Sequence, residues 1–256
     1  MTTLAVLTGR SARLGLRSVD GLITALVLPV VILLVFVELF GGALDTRSTS
    51  SYATFVVPGI IAITAGFGVG TSAVTVCQDV TSGVIDRLRT LDVGAGALLA
   101  SHVATAVARN LASTALVVLA GLAVGFRPHA GIGAWLLAGL VLTAYLHALT
   151  WVAACAGAAA RSVEAAGGAT FALMFLAYPS SAVVPVETMP GWLQGFAAHQ
   201  PVTPVVDSVR GLLTGAPMGE VTGTLVTALA WCAAIAVVAG GVSRVVLARR
   251  LDGPGA

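Results

Sequence analysis

Residues 21–40 read Gly-Leu-Ile-Thr-Ala-Leu-Val-Leu-Pro-Val-Val-Ile-Leu-Leu-Val-Phe-Val-Glu-Leu-Phe, with Glu38 the only charge. A bilayer's hydrocarbon core is spanned by roughly 20 helical residues, so this run can cross it once. In lipid a helix satisfies its own backbone hydrogen bonds, which a strand or loop cannot do alone. Runs of the same kind recur at 52–76, 103–126, 134–159, 168–186 and 220–247. A large soluble helical core would need polar faces on its outer helices, and these runs are apolar all round. The expected fold is an all-α integral membrane protein with six transmembrane helices.

Composition agrees. Hydrophobic residues make up 57% of the chain and charged ones 9%, and the mean hydropathy is +0.99. A net charge of +2 gives no reason to expect nucleic acid as a partner. All 13 basic residues are Arg, a coding bias that points to a GC-rich bacterial source. Cys77, Cys155 and Cys232 form no CxxC pair, so neither a disulfide framework nor a zinc site is expected. The chain divides into an N-terminal segment (1–20), one transmembrane domain (21–250) and a short tail (251–256).

Arginine placement sets the expected orientation. Arg10, Arg13 and Arg17 precede the first run, Arg87 and Arg89 follow the second, and Arg161 follows the fourth. Arg244, Arg249 and Arg250 close the chain, whereas the opposite gaps hold only Arg47, Arg127 and Arg210. The positive-inside rule then places both termini in the cytoplasm of a bacterial plasma membrane. No cleavable signal peptide is expected. Arg10, Arg13 and Arg17 share one helical face, which suits either an interfacial helix on anionic headgroups or a simple topological anchor.

The longest cytoplasmic gap, 77–102, concentrates polar residues. A short amphipathic helix over 83–91 would set Val84, Leu88 and Leu91 on one face and leave Asp86, Arg87 and Arg89 hydrated. Such a helix could dock into a groove on a soluble partner or lie on the membrane. The gap resembles the coupling region of type-2 ATP-binding-cassette (ABC) exporter permeases, the daunorubicin-resistance permease family. An acid opening the loop, then a small residue and glycine, then an acid-arginine-hydrophobic triplet, fall here on Asp79, Ser82-Gly83 and Asp86-Arg87-Leu88. Family members commonly carry proline where this chain has Asp92. Met189-Pro190-Gly191-Trp192-Leu193, the run from His199 to Pro204, and Asp207 to Leu212 resemble the family's extracellular segment before the last span. Ala160 to Glu164 resembles its fourth-to-fifth connection.

The resemblance implies two permease chains, as a homodimer or with a related permease, and two copies of a separate ATPase subunit. ATP and Mg2+ would sit on that ATPase. With no lysine, the chain has no Walker A motif, and no cofactor or metal is expected on it. Coupling to the ATPase would fall on Asp79, Gly83, Val84, Asp86, Arg87, Leu88, Arg89 and Leu91. From about 187 to 219 the chain is broken by prolines, which fix φ and remove a donor. In the family this stretch forms short helices that dip into the outer leaflet as an exit gate, here with Pro190, Trp192, Pro201, Pro204, Asp207 and Arg210. A plain amphipathic loop on lipid is the alternative, and the spacing of Asp207 and Arg210 suits either a pair on one helix or two solvated charges. The family's substrate path makes Phe55, Phe67, Phe171, Phe175 and Tyr178 candidate contacts, though helix packing accounts for them equally.

Within spans, Arg109 is placed to snorkel toward headgroups, Asn110 to bond between helices, and His147 to make a buried polar contact. The expected function is export of an apolar or amphipathic molecule, such as a drug or lipid-like compound. Lipid-linked polysaccharide export is the sister reading. A proton-driven secondary transporter or a scaffold are the alternatives outside the class, and scarce intramembrane acids oppose the first.

Overall fold

In the computed structural model, residues 8–9, 23–44, 49–83, 95–175 and 177–252 are described, and every regular element among them is helical. A short π-helical turn (Ile23–Val27) leads into α1 (Leu28–Leu44). There follow α2 (Thr49–Thr81), α3 (Ala95–Ala123), α4 (Ile132–Ala159) and α5 (Val163–Phe175). A 3-10 turn (Val186–Thr188) precedes two short helices, α6 (Gly191–His199) and α7 (Val202–Thr214), and α8 (Met218–Asp252) completes the order. The expected N-terminal segment lies outside the described residues except for 8–9. Val84, Asp86, Arg87, Leu88, Arg89 and Leu91 also lie outside them.

Among the described residues, four helices are long and apolar enough to cross a bilayer: Tyr52–Thr81, Gly96–Ala123, Ile132–Ala159 and Met218–Arg250. They match the second, third, fourth and sixth apolar runs. The first run appears as a shorter apolar helix. The fifth departs from expectation. Its run was expected to be helical over 168–186, but α5 ends at Phe175 and the chain turns from Ala177. At 1.5 Å per residue α5 is about 20 Å long, short of the hydrocarbon thickness. Pro179, Ser180 and Ser181 explain the stop: proline cannot donate, and the Ser180 hydroxyl bonds the Ala177 carbonyl locally.

Helix α2 is the hub, packed against α1, α3, α4, α5 and α7. Every residue from 56 to 65 is buried, so this stretch is enclosed around its whole circumference, as an all-apolar helix must be when neighbours surround it. Association in lipid relies on close packing rather than on apolar transfer, so small residues set the crossings. A Cβ on Gly59 would fall 1.8 Å from the Ala182 carbonyl oxygen, and one on Gly157 of α4 2.3 Å from that of Ala73 in α2. A Cβ on Gly68 would strike Asn110 Oδ1 of α3 at 1.6 Å. Backbone and short polar groups occupy the space that side chains would need. α4 and α8 run side by side in the same direction, Trp151 lying against Gly240 and Ala159 bonded by Arg250.

Candidate functional site

The first arrangement stands at the end of the bundle where α2 stops and α3 starts. Asp79 lies in the last turn of α2, and His102 two turns into α3. His102 Nε2 and Asp79 Oδ2 are 2.9 Å apart, with side chains only 6% and 11% exposed. Around them Val76, Leu98, Leu99, Val103, Trp151 and Leu247 form a buried apolar cluster that excludes water. A hydrogen bond to a carboxylate gains strength in such surroundings. The pair closes the base of the connection that carries the expected coupling residues. Gly83 adopts φ +70°, a left-handed conformation that glycine reaches without strain, and so turns the chain out of α2.

The second arrangement stands at the other end. α6 descends and α7 returns, with Gln200 and Pro201 at the vertex. The Thr203 hydroxyl donates to the Ala197 carbonyl at 2.6 Å, and Gln200 Nε2 to the Pro179 carbonyl at 2.8 Å, fixing the hairpin to itself and to the turn after α5. Pro190 and Pro201 sit at the N-caps of α6 and α7, where a missing N–H costs nothing. Pro204 is buried in the first turn of α7, and Trp192 is 82% exposed on α6. α7 is amphipathic, burying Val205, Val206, Val209, Leu212 and Leu213.

Arg210 locks α7 in place. Its Nε donates to the Phe55 carbonyl of α2 at 3.0 Å, Nη1 to Asp207 Oδ1 at 2.9 Å, and Nη2 to the Ser181 carbonyl at 2.6 Å. The guanidinium lies 4.0 Å from the centroid of the Phe55 ring, a cation–π distance. Ser181 Oγ donates in turn to Asp207 Oδ1 at 2.6 Å. Asp207 and Arg210 are thus paired rather than merely solvated. Burial lowers the Arg210 pKa from its usual value, and Asp207 opposes that shift. Beneath the hairpin vertex lies a cavity of about 200 Å3, bordered by Ala62, Ile63 and Gly66 of α2, Tyr145 of α4, Val202 and Cys232.

The candidate aromatics do not converge. Phe55 is held under Arg210, and Phe67 is half-buried farther along α2. Phe171, Phe175 and Tyr178 instead form an exposed aromatic run, with ring centroids 4.9 and 5.8 Å apart in sequence order. Arg109 does not snorkel: its Nη2 donates to the Gly68 carbonyl of α2 at 2.7 Å and to the Thr71 hydroxyl. His147 is exposed rather than buried, and accepts a hydrogen bond from Trp151 Nε1 one turn along its own helix at 3.0 Å. His102, Ser181 and Gly59 were not singled out from sequence. Their partners lie on other elements, and no local pattern marks them. Among the described residues no group of three His, Cys, Asp or Glu could hold a metal ion.

The sequence profile of the ABC-2 type transporter family matches residues 2–214. The chain belongs to that family. This ABC-2 permease is 32% identical over 195 residues to the daunorubicin resistance ABC transporter permease protein DrrB1 of Streptomyces coeruleorubidus, covering 76% of the chain and 69% of that protein. It is 28% identical over 219 residues to the probable doxorubicin resistance ABC transporter permease protein DrrC from two strains of Mycobacterium tuberculosis, covering 84% of the chain and 77% of that protein. The permease is therefore a multi-pass membrane protein of the class that works with an ABC ATPase. Both arrangements described above fall within the matched region.

Proposed function

We propose that the permease is the membrane subunit of an ATP-driven exporter of apolar or amphipathic drugs. Two permease chains, identical or related, would act with two copies of a separate ATPase that binds ATP and Mg2+. In this reading six segments cross a bacterial plasma membrane, with both termini and the 82–94 connection cytoplasmic. The permease itself performs no chemistry. Asp79, Gly83, Val84, Asp86, Arg87, Leu88, Arg89 and Leu91 serve as the coupling element. The α6–α7 hairpin is a re-entrant gate on the outer side, with Pro190, Trp192, Pro201, Pro204, Asp207 and Arg210 as its parts. Drug transport is supported by the relatives, which are daunorubicin and doxorubicin resistance permeases.

The observation that carries the reading is the position of the Asp79–His102 pair. A closure at the ATPase reaches α2 and α3 together if the base of their connection moves as one body, and a buried side-chain hydrogen bond between the two helices supports that rigidity. From there α2 runs to Phe55, which Arg210 ties to the hairpin. One helix therefore touches both the coupling base and the gate.

The test is affinity purification of the tagged permease from native membranes with an ATPase assay. A stoichiometric ATPase subunit, lost when Leu88→Asp is introduced while membrane insertion persists, is the expected result. Export that continues unchanged in Leu88→Asp, or recovery of the permease alone under several mild detergents, overturns it.

A further inference from the structure

Between α4, α5 and α8 runs an open groove of about 600 Å3. Ala156 and Ala159 of α4, Ala169 of α5, and Trp231, Val238 and Val242 of α8 border it, and no charged side chain lines it. From Trp231 to Val242 the α8 stripe is about 16 Å long, close to the depth of one leaflet of a 30 Å hydrocarbon core. Small residues on α4 keep it open.

Past the groove the chain carries three arginines. Arg249 lies seven residues beyond Val242, within about 20° of it around α8, so it continues the lining stripe. The Arg250 guanidinium donates to the Ala159 carbonyl at 3.1 Å, which brings a second positive charge to the groove's end. Arg161, two residues past Ala159, is exposed in the turn between α4 and α5. An apolar channel of leaflet depth with one guanidinium at its end, and two more arginines on the adjoining turn and helix end, is complementary to one chemical class. We propose that the groove is a binding site for an anionic phospholipid, an acyl chain lying along α8 and the phosphate among Arg161, Arg249 and Arg250.

Neutral or cationic cargo gains nothing from those guanidiniums. A purely topological anchor would need the charges but not the groove. A second copy seated on the Phe171–Phe175 face would leave the groove free, because Ala169 and Phe171 lie about 200° apart around α5. The site depends on no transport activity, ATPase partner or leaflet assignment.

Native mass spectrometry of the full chain in mild detergent, titrated with phosphatidylglycerol or phosphatidylcholine, tests it. The expected result is retention of phosphatidylglycerol over phosphatidylcholine. Each Arg→Gln change among Arg161, Arg249 and Arg250 should weaken that binding roughly fivefold, and Arg→Lys at all three should restore most of it. Ala156→Phe, which fills the groove without altering charge, should weaken it as well, with helix content by circular dichroism confirming that the variants fold. Undiminished retention by the triple Gln variant overturns the proposal. So does full retention by Ala156→Phe, which would reduce the effect to surface charge. Displacement by inorganic phosphate alone at the same affinity overturns it too. Binding of tetraphenylphosphonium that competes with the lipid and survives in the triple Gln variant would make the groove a cargo site instead.

Discussion

Asp79 and His102 are 23 residues apart in sequence and 2.9 Å apart in space, and both side chains are shielded from solvent. Removing His102 deletes one hydrogen bond to a carboxylate inside an apolar cluster, and leucine cannot replace it. His102→Leu should cost about 1–3 kcal/mol of stability. It should also lower export per ATP hydrolysed, because the connection loses its fixed base. The exchanged variant, Asp79→His with His102→Asp, keeps a carboxylate beside an imidazole and should recover much of that coupling. Tryptophan-fluorescence melting, with export and ATPase assays in vesicles, reads both quantities. An export-to-ATP ratio unchanged in His102→Leu would remove the pair from coupling and leave it a packing element.

Arg210 serves three acceptors and one aromatic face at once. A lysine ammonium is a compact point charge and cannot reproduce that fork while stacking on Phe55. Arg210→Lys should therefore behave as a strong change despite its retained charge, costing about 2–3 kcal/mol. Phe55→Leu, which keeps the backbone carbonyl acceptor and loses only the ring, should cost about 1 kcal/mol. Equal melting temperatures for Arg210→Lys and the parent would show that the network holds nothing in place.

The apolar runs made α2, α3, α4 and α8 legible because hydropathy measures length, and each helix lies within a few residues of its run on at least one side. α5 was not legible in the same way. The composition stays apolar through Val186, yet the backbone leaves the helix near Pro179 because the turn after it packs on α2: the Ala182 carbonyl lies where a Gly59 side chain would stand. Spacing likewise exposed Asp207 with Arg210, three apart on one helix. It could not expose Phe55, which lies 155 residues from Arg210. His147 misled for the opposite reason: a lone polar residue in an apolar run suggests a tertiary partner, whereas Trp151 supplies one on the same helix.

The contact between Gly59 and Ala182 gives a direct steric test. Backbone atoms cannot swing aside as a flexible side chain can, so Gly59→Ala must displace the whole turn that bears Ser181 and, with it, the Arg210 network. Overpacking of this kind costs typically about 1–3 kcal/mol. Gly167→Ala in α5 meets nothing within 4 Å and should be neutral or slightly stabilising, since alanine is the better helix former. Detergent melting curves of the two variants should separate clearly. If they coincide, the turn does not rest on α2 as described.

Arg109 makes a prediction whose sign is less intuitive. Its guanidinium reaches the Gly68 carbonyl and the Thr71 hydroxyl, but its Nε is buried and has no hydrogen-bond partner among the described residues. The neighbouring Asn110 Nδ2 is in the same position. The cluster thus keeps a positive charge among apolar helices with incomplete compensation, and Thr71 Oγ1 already has the Gly68 carbonyl as a second partner at 2.9 Å. Replacing the charge by a leucine of adequate volume removes the desolvation penalty along with the bonds, so Arg109→Leu should lie within about 1 kcal/mol of the parent. Thr71→Val, which keeps the charge and deletes an acceptor, should destabilise by about 1–3 kcal/mol. In the Arg109→Leu background the same Thr71→Val change should cost much less, because no guanidinium is left stranded. This double-mutant cycle isolates the coupling between the two side chains. Additive effects, or a large loss in Arg109→Leu alone, would show that the guanidinium contributes more to holding α2 against α3 than its incomplete bonding indicates.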